Sequence, residues 1–375
     1  MISILIGMGI FGLSGLSWLC PLLAYPVFFS QRRILRTKPP PTHSNSSLFR
    51  TLDILIPAHN EAEFIGTTLR SIQQSIDHFR CQLSLPPMKI NIHIGADCCT
   101  DKTTQIAAQF PLVSVSEFPD NRSKWVTMNA LVAASSANWI ILVDAGTVWP
   151  KNFVTDFVRE VHAQPEALAI APSYKPLRAG WLPQILWHTE TLLKKMESFC
   201  GGPISLHGAT VGYQTTPLKK ALADLGDTLW LNDDVVIPLK LRTLYPEGII
   251  IYPIGIVRDA AVRHDQLDIG RRKRMVLGNL QWVTGLLPDC LSTNPVAGIV
   301  AMRRLFRIFW AYWLACFVIG LALAFHILLL PTAACIGIML AFSGSVRQMA
   351  GAGLNSFLAP FRMARPNWQL EGSWK

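Results

Sequence analysis

The chain has 375 residues, a net charge of +10 at neutral pH, and 50% hydrophobic against 15% charged residues. This length holds one large domain with membrane segments, or two modest domains. The eight cysteines fall in no zinc-type spacing and no regular disulfide framework, and a nucleic-acid reading of the positive charge is weak because no basic and aromatic residues interleave on a soluble face.

The apolar excess is concentrated. Met1–Phe29 and Leu305–Phe342 are nearly free of charge, and about 20 such residues suffice to cross the ~30 Å hydrocarbon core as a helix. The first run is expected to be an uncleaved anchor, since no basic stretch precedes it and basic residues follow it. Its Gly7-Met8-Gly9-Ile10-Phe11-Gly12 matches a dinucleotide fingerprint. That reading needs a preceding strand and an acid about 20 residues on, whereas the first acid in the chain is Asp53; close helix packing is the better account. Arg32, Arg33, Arg36 and Lys38 follow this run. Arg303, Arg304 and Arg307 precede the second run, and Arg347, Arg362 and Arg365 come after it. Such flanks favour the cytoplasmic side and attract anionic lipid headgroups. The expected organisation is an anchor at 1–29, a basic Pro-rich linker at 30–49 and a cytoplasmic domain at 50–290. An interfacial segment at 291–304, a transmembrane hairpin at 305–345 broken at Pro331, and a tail at 346–375 complete it. The location implied is the cell's inner membrane.

Between the apolar runs, strands and helices alternate. Leu52–Pro57 reads as a buried strand, and Ile65, Leu69, Ile72 and Ile76 recur at helical spacing in the following segment. A strand at Ile90–Gly95, a helix at Asp101–Phe110, a strand at Val113–Phe118, a helix at Lys124–Ala134 and a strand at Trp139–Val143 follow. Beyond residue 150 the pattern is less regular, with helices at Val154–Val161, Leu182–Met196 and Pro217–Leu225 and a short strand at Ile249–Tyr252. The alternation predicts an α/β domain with a mostly parallel sheet covered on both faces. Ligands bind such sheets beyond the carboxyl ends of the strands, which is where Asp97, Asp144 and the Pro57–Glu61 turn fall.

Two features carry chemistry. Asn232-Asp233-Asp234 places a carboxylate pair ahead of an apolar run, and a carboxylate near 3 Å from a hydroxyl takes its proton. Arg271-Arg272-Lys273-Arg274-Met275 places four cations in a row, suited to holding phosphate oxygens bidentately. Asp97 also suits a helix cap, and Asp233 is expected to cap the helix after it, leaving the base role to Asp234. The cation run also suits a lipid-binding patch. Lys124 at a helix start opposes the helix dipole, which favours a functional role.

The ordered series Ile56-Pro57-Ala58-His59-Asn60-Glu61, Ala96-Asp97-Cys98-Cys99-Thr100-Asp101, Arg122-Ser123-Lys124 with Asn129, Asp144-Ala145-Gly146, Asn232-Asp233-Asp234 and Arg271–Arg274 resembles glycosyltransferase family 2. It is similar to the membrane branch that includes cellulose, hyaluronan and poly-N-acetylglucosamine synthases, over roughly residues 50–285. The resemblance implies a GT-A fold and an inverting transfer of a hexose or N-acetylhexosamine from a nucleotide-sugar, UDP-linked, to a glycan or lipid-linked acceptor. It implies that Pro57, Ala58 and Glu61 line the nucleotide pocket, Asp97 meets the base, Asp144 approaches the ribose or the metal-bound diphosphate, and Lys124 belongs to the nucleotide-sugar site. Arg272 and Arg274 would hold the pyrophosphate, and Asp234 would act as base. A divalent cation, Mg or Mn, would sit on Asp144. The family's usual second acid is Gly146 here, so weak metal affinity or metal independence stays open. Met275 replaces the tryptophan on which processive enzymes stack the acceptor sugar. A processive synthase, with partner subunits supplying further helices, and a catalytically silent nucleotide-binding scaffold are the alternatives. Acceptor specificity is expected between Tyr174 and Tyr213.

Overall fold

A computed structural model describes residues 2–23, 49–82, 85–175, 181–259, 266–325, 329–342 and 344–363. Within these stretches the side chains of 15–23, 181–183, 266–273 and 302–308, among others, lie outside the described set. The linker expected at 30–49 therefore falls almost wholly outside the described residues.

The main sheet begins with β1 (Thr51–Ala58), β2 (Lys89–Asp97), β3 (Val113–Phe118) and β4 (Trp139–Val143). These four run parallel in the spatial order β3-β2-β1-β4. β1 and β4, inside the sheet, are almost wholly buried, as strands covered on both faces require, with Leu52, Ile54, Leu55 and Ile56 at 0% exposure; β2 alternates at its start and the edge strand β3 is largely exposed. The connecting helices are α2 (Ile65–Arg80), α3 (Thr103–Ala107) and α4 (Ser123–Ala134). The expected stripe Ile65, Leu69, Ile72 and Ile76 on α2 is buried. It packs with the even-numbered β1 residues and with Phe153, Phe157 and Val161 of α5 (Phe153–Ala163), in one core layer. Leu55, Trp125, Met128 and Ile140 belong to a second core on the opposite face.

Of the far half of the sheet, the sequence pattern finds only the short strand expected at Ile249–Tyr252, seen at Ile249–Ile251. After the short β5 (Thr147–Val148) come β6 (Ala167–Ile170) and β7 (Ser173–Lys175), then α6 (Trp181–Glu197). β8 (Thr210–Gln214) enters beside β4 but antiparallel to it, and β6 and β9 (Ile249–Ile251) extend the sheet. A second sheet is built from β5, β10 (Ile256–Asp259) and β7. The strands it misses are two to five residues long, too short for periodicity to announce them. Because β8 runs against β4, the loop that enters β8 reaches the same edge at which β1, β2 and β4 end.

Two further helices, α7 (Thr215–Leu225) and α8 (Asp233–Leu244), bury Leu218, Ala221, Val236 and Leu239 in the second core. The chain then continues as α9 (Gln266–Gly285), α10 (Leu287–Thr293), α11 (Pro295–Ile308), α12 (Trp310–Ala324), α13 (Leu329–Phe342) and α14 (Gly344–Met363). Among the described residues no helix is long and apolar enough to cross a membrane, so the expected spanning helices gain no support from these elements. α12 and α13 have 15 and 14 residues, short of the roughly 20 a span requires. Residues 344–363, expected to lie partly in a tail, form a helix that packs on α9 and α12. At the other end α1 (Ile2–Leu23) lies along α12. A Cβ on Gly7 would meet Ala324 N at 2.7 Å, and one on Gly320 would meet Phe11 N at 2.7 Å, whereas Gly9 and Gly12 have nothing within 4 Å. Close packing thus explains Gly7 and not the other two glycines of the fingerprint.

Candidate active site

Two loops at the carboxyl edge are tied together by side chains that copy backbone bonds. Asn60, held at φ +53°, accepts the Thr100 N–H on its Oδ1 at 2.8 Å. The Asp101 carboxylate accepts the N–H groups of Ala62 at 3.0 Å and Thr103 at 2.9 Å. Its partial burial works against ionisation, but these bonds outweigh that and hold it below the usual carboxylate range. Thr103 Oγ1 in turn accepts the Glu61 N–H at 2.8 Å. Pro57 and Ala58 are buried, with Ala58 inside the core. The Ala58 methyl group packs in the core, which leaves its backbone for the pocket lining that the resemblance implies. Glu61 lies at the partly exposed mouth of the turn.

Asp97 closes β2 and is fully buried. Its Oδ1 accepts the Arg122 N–H at 2.9 Å, while Oδ2 is buried with no protein partner. Asp97 caps no helix; it receives the chain entering α4. The Arg122 guanidinium lies over the Phe118 ring, 3.6 Å from its centroid, with Nε and Nη2 also buried and unpartnered. Cys98 and Ser123 on either side hold φ values of +50° and +79°. Non-glycine residues in this region store strain and cluster at binding sites. The buried Asp97 Oδ2 and the buried Nε and Nη2 of Arg122, the residue whose N–H Asp97 accepts, are polar groups for which the protein supplies no partner.

The centre of the edge is a cation between two acids. Lys124, in the first turn of α4, places Nζ 2.7 Å from Asp144 Oδ1 and 3.0 Å from Asp233 Oδ2. Burial works against this cation, but the Asp144 and Asp233 carboxylates outweigh it and raise its pKa above the ordinary lysine value. Asp233 is therefore a partner of Lys124. It opens α8 without a side-chain capping bond from Asn232, whose carbonyl accepts the Val235 and Val236 N–H groups.

Asp234 stands on the far side of the same space. A Cβ built on Gly208 would lie 3.5 Å from Asp234 Cβ and 3.9 Å from Asp144 Oδ2. Asp144 Oδ2 and the Asp234 side chain thus border one small space beside Gly208. The Leu206 N–H donates to the Asp234 carbonyl at 2.8 Å, and the Asp144 N–H to the Ala209 carbonyl at 3.0 Å. The β8 entry loop thus fixes both backbones. Asp144, Asp233, Asp234 and Lys124 converge, with Asp97 at the end of β2, across β1 from β4 in the sheet.

Next to Gly208, His207 Nε2 lies 3.3 Å from Tyr252 OH and 3.4 Å from Lys194 Nζ. Its ring faces Tyr174 at 5.8 Å between centroids. Tyr174 reaches this rim, whereas Tyr213 is buried in the core and cannot border the acceptor as expected. On α9, Arg274 is partly exposed, and the helix is pinned beside Asp233 by Asn232 Nδ2 donating to the Met275 carbonyl at 3.0 Å. The side chain of Arg272 lies outside the described residues. Arg122 and Gly208 are additions that sequence reasoning did not single out as site residues. The signal for Gly208 was a glycine beside a histidine in a loop.

The residues fit a divalent cation only in a restricted sense. Among the described residues no three His, Cys, Asp or Glu side chains gather to hold a metal. Asp144 keeps Oδ2 on the cleft side with its side chain 40% exposed. A cation there would have one protein ligand and would need the oxygens of a bound diphosphate for the rest.

The family model described as Glycosyl transferase family 2 matches residues 53–211, the segment that carries Asp97, Lys124 and Asp144. The mannosyltransferase PcManGT from Pyrobaculum calidifontis, solved with GDP-Man and Mn2+, is similar over 96% of this chain and 98% of its own, with a TM-score of 0.65 and 19% identity. S. aureus TarS with UDP-GlcNAc is similar over 72% of this chain and 81% of its own, at a TM-score of 0.44 and 14% identity. No curated protein matches the chain. The mannosyltransferase likeness establishes the shared fold and nothing finer. Residues 53–211 are a glycosyl transferase family 2 domain, and the chain is a glycosyltransferase of the GT-A fold.

Proposed function

We propose that the enzyme transfers a hexose or N-acetylhexosamine, with inversion, from a UDP-sugar to a hydroxyl of a glycan or lipid-linked acceptor at a membrane surface. The observation that carries the reading is the convergence of Asp144 and Asp234 on the space above Gly208, with Lys124 already on Asp144. Asp234 takes the acceptor proton as the hydroxyl attacks. Lys124 sits where charge builds on the departing diphosphate. With one base on the acceptor side and no nucleophile needed, a single displacement inverts the anomeric carbon. A divalent cation on Asp144 Oδ2 supplies Lewis-acid stabilisation of the leaving group when bound, and Mn2+ accompanies the donor in the mannosyltransferase. Arg274, with Arg272 one turn-fraction away on α9, would hold the pyrophosphate.

The recess at Asp97 favours uracil over guanine. One carboxylate oxygen is taken by Arg122 N–H, so a single acceptor remains. Uracil presents one N–H between two carbonyls, which suits one carboxylate oxygen flanked by guanidinium N–H groups. Guanine presents two adjacent donors, which call for both oxygens.

Membrane association is supported by exposed apolar residues on helices that pack together. These include Ile2, Leu5 and Met8 of α1, Ile319 of α12, Ile338 of α13 and Phe361 of α14. Clustered exposure of this kind marks an interaction surface, and the basic residues beside it suit anionic lipid. Flotation with anionic vesicles is the check: protein left at the bottom of the gradient removes the membrane part of the reading. The chemistry is tested by nucleotide release from a panel of UDP- and GDP-sugars. UDP release with acceptor-dependent product is expected, and Asp234→Asn should abolish turnover while UDP binding persists. Unaltered turnover in that variant removes Asp234 as the base.

A further inference from the structure

The arrangement around Gly146 says how the enzyme neutralises the charge of its donor. The backbone at Gly146 has φ +96°, a conformation that side chains of L-residues rarely adopt. Its N–H donates to Thr68 Oγ1 at 2.9 Å, in a buried position. A second acid at this point is therefore excluded by the turn itself. The second feature is the Lys124 ammonium, bonded to Asp144 at 2.7 Å and to Asp233 at 3.0 and 3.3 Å. It is a fixed cation held on Asp144, the acid two positions before Gly146. The Lys124 side chain remains 21% exposed toward the cleft, so phosphate oxygens can share it with the two carboxylates.

We propose that Lys124, positioned by Asp233, is a built-in counter-ion for the donor diphosphate, so that the nucleotide binds without a divalent cation and any metal enters only with it. The inference rests on the donor reading above and deepens it. Asp233 acts as a positioning residue in this scheme: it holds the ammonium over Asp144 and does not touch the reacting atoms. The acids and the cation form a chain, Asp144–Lys124–Asp233, that joins the donor edge of β4 to the helix carrying the base. Arrival of a diphosphate then redistributes the Lys124 contacts among three anionic groups without requiring an incoming metal.

Calorimetry of the full chain with UDP and with GDP, in excess EDTA and in excess Mn2+, tests this. Wild-type affinity for UDP in EDTA should stay within about tenfold of that in Mn2+, or roughly 1.4 kcal/mol. Lys124→Gln should weaken binding in EDTA by more than about tenfold and regain most of it with Mn2+. Should that variant fail to fold, Asp233→Asn, which keeps the shape of the side chain, should weaken UDP binding in EDTA in the same direction. Electron paramagnetic resonance of Mn2+ needs no variant: the free-ion spectrum should persist with nucleotide-free wild type and broaden only when UDP is added. UDP binding that vanishes in EDTA and returns with Mn2+ overturns this inference while leaving the donor reading intact, as does tight Mn2+ binding by the nucleotide-free protein. Binding of neither nucleotide in either buffer overturns both.

Discussion

A single methyl group at position 208 separates a structural role for the Asp144–Asp234 approach from a catalytic one. In Gly208→Ala the added Cβ meets Asp234 Cβ at 3.5 Å and Asp144 Oδ2 at 3.9 Å, both ordinary contacts. Nothing in the protein has to move, and the loss of glycine freedom in the unfolded chain favours folding by about 0.4–1 kcal/mol. The melting temperature should therefore hold or rise by a few degrees. The methyl nevertheless occupies the space bordered by Asp144 Oδ2 and the Asp234 side chain, where sugar and acceptor oxygen would meet in the proposed reaction. Displacing reacting atoms by about 1 Å costs on the order of 100-fold, or about 2.7 kcal/mol of transition-state stabilisation. The assay is kcat/KM for sugar transfer beside thermal unfolding of the same preparation, with UDP affinity as a third reading that should barely change. Gly212→Ala supplies the contrast. Its Cβ would lie 2.2 Å from Phe157 Cε2 in the packed core, so that variant should lose stability by about 1–3 kcal/mol or more. A folded Gly208→Ala enzyme with wild-type turnover refutes the assignment of this space as the reaction site.

Three other outcomes are expected. Asp53 is buried against Ser135 Oγ at 2.6 Å and Asn91 Nδ2 at 2.8 Å. Burial raises its pKa, but His93, Ser135 and Asn91 together bring it down to about 2 from the ordinary 3.8. Its contribution is thus fully present above pH 3.8 and disappears as the pH falls toward 2, amounting to roughly 2 kcal/mol. Asp53→Asn should flatten denaturant-midpoint curves in that window, and an unchanged acid limb would contradict the assignment. Arg242 is buried and donates to the carbonyls of Gly202 and Cys200, each at 2.9 Å. Arg242→Met strands both acceptors and should cost about 2–4 kcal/mol in urea unfolding; a loss below the scatter of the method would mean that the loop re-bonds elsewhere. Asp97→Asn keeps an oxygen for the Arg122 N–H but removes the carboxylate, so UDP affinity should fall at least about tenfold with the fold intact. Equal affinity would mean that the recess does not hold the base.

The four parallel strands were legible because each is a short segment rich in Ile, Leu or Val, and β2 and β4 each lead into an aspartate. That alone sent Asp97 and Asp144 to one edge. The stripe Ile65–Leu69–Ile72–Ile76 likewise announced α2 and the face it buries. β6, β8 and β10 escaped notice because they are four or five residues long and have no period of their own; neighbouring strands make them. Asp233 was expected as a cap because local sequence shows only what precedes a helix. Its partner, Lys124, lies 109 residues away.

By itself, the order of residues determined which side chains could do chemistry at all. It supplied acids at strand ends, a cation run on a late helix and a glycine where a second acid is usual, because these depend on local pattern and chemical type. Tertiary structure decided which of them act together. Only when β8 turns back against β4 does its entry loop bring Gly208 between Asp144 and Asp234, and only when α8 docks on that loop does Asp233 close on Lys124. Proximity between segments this distant in the chain is set by sheet order and core packing, which no single stretch of sequence contains.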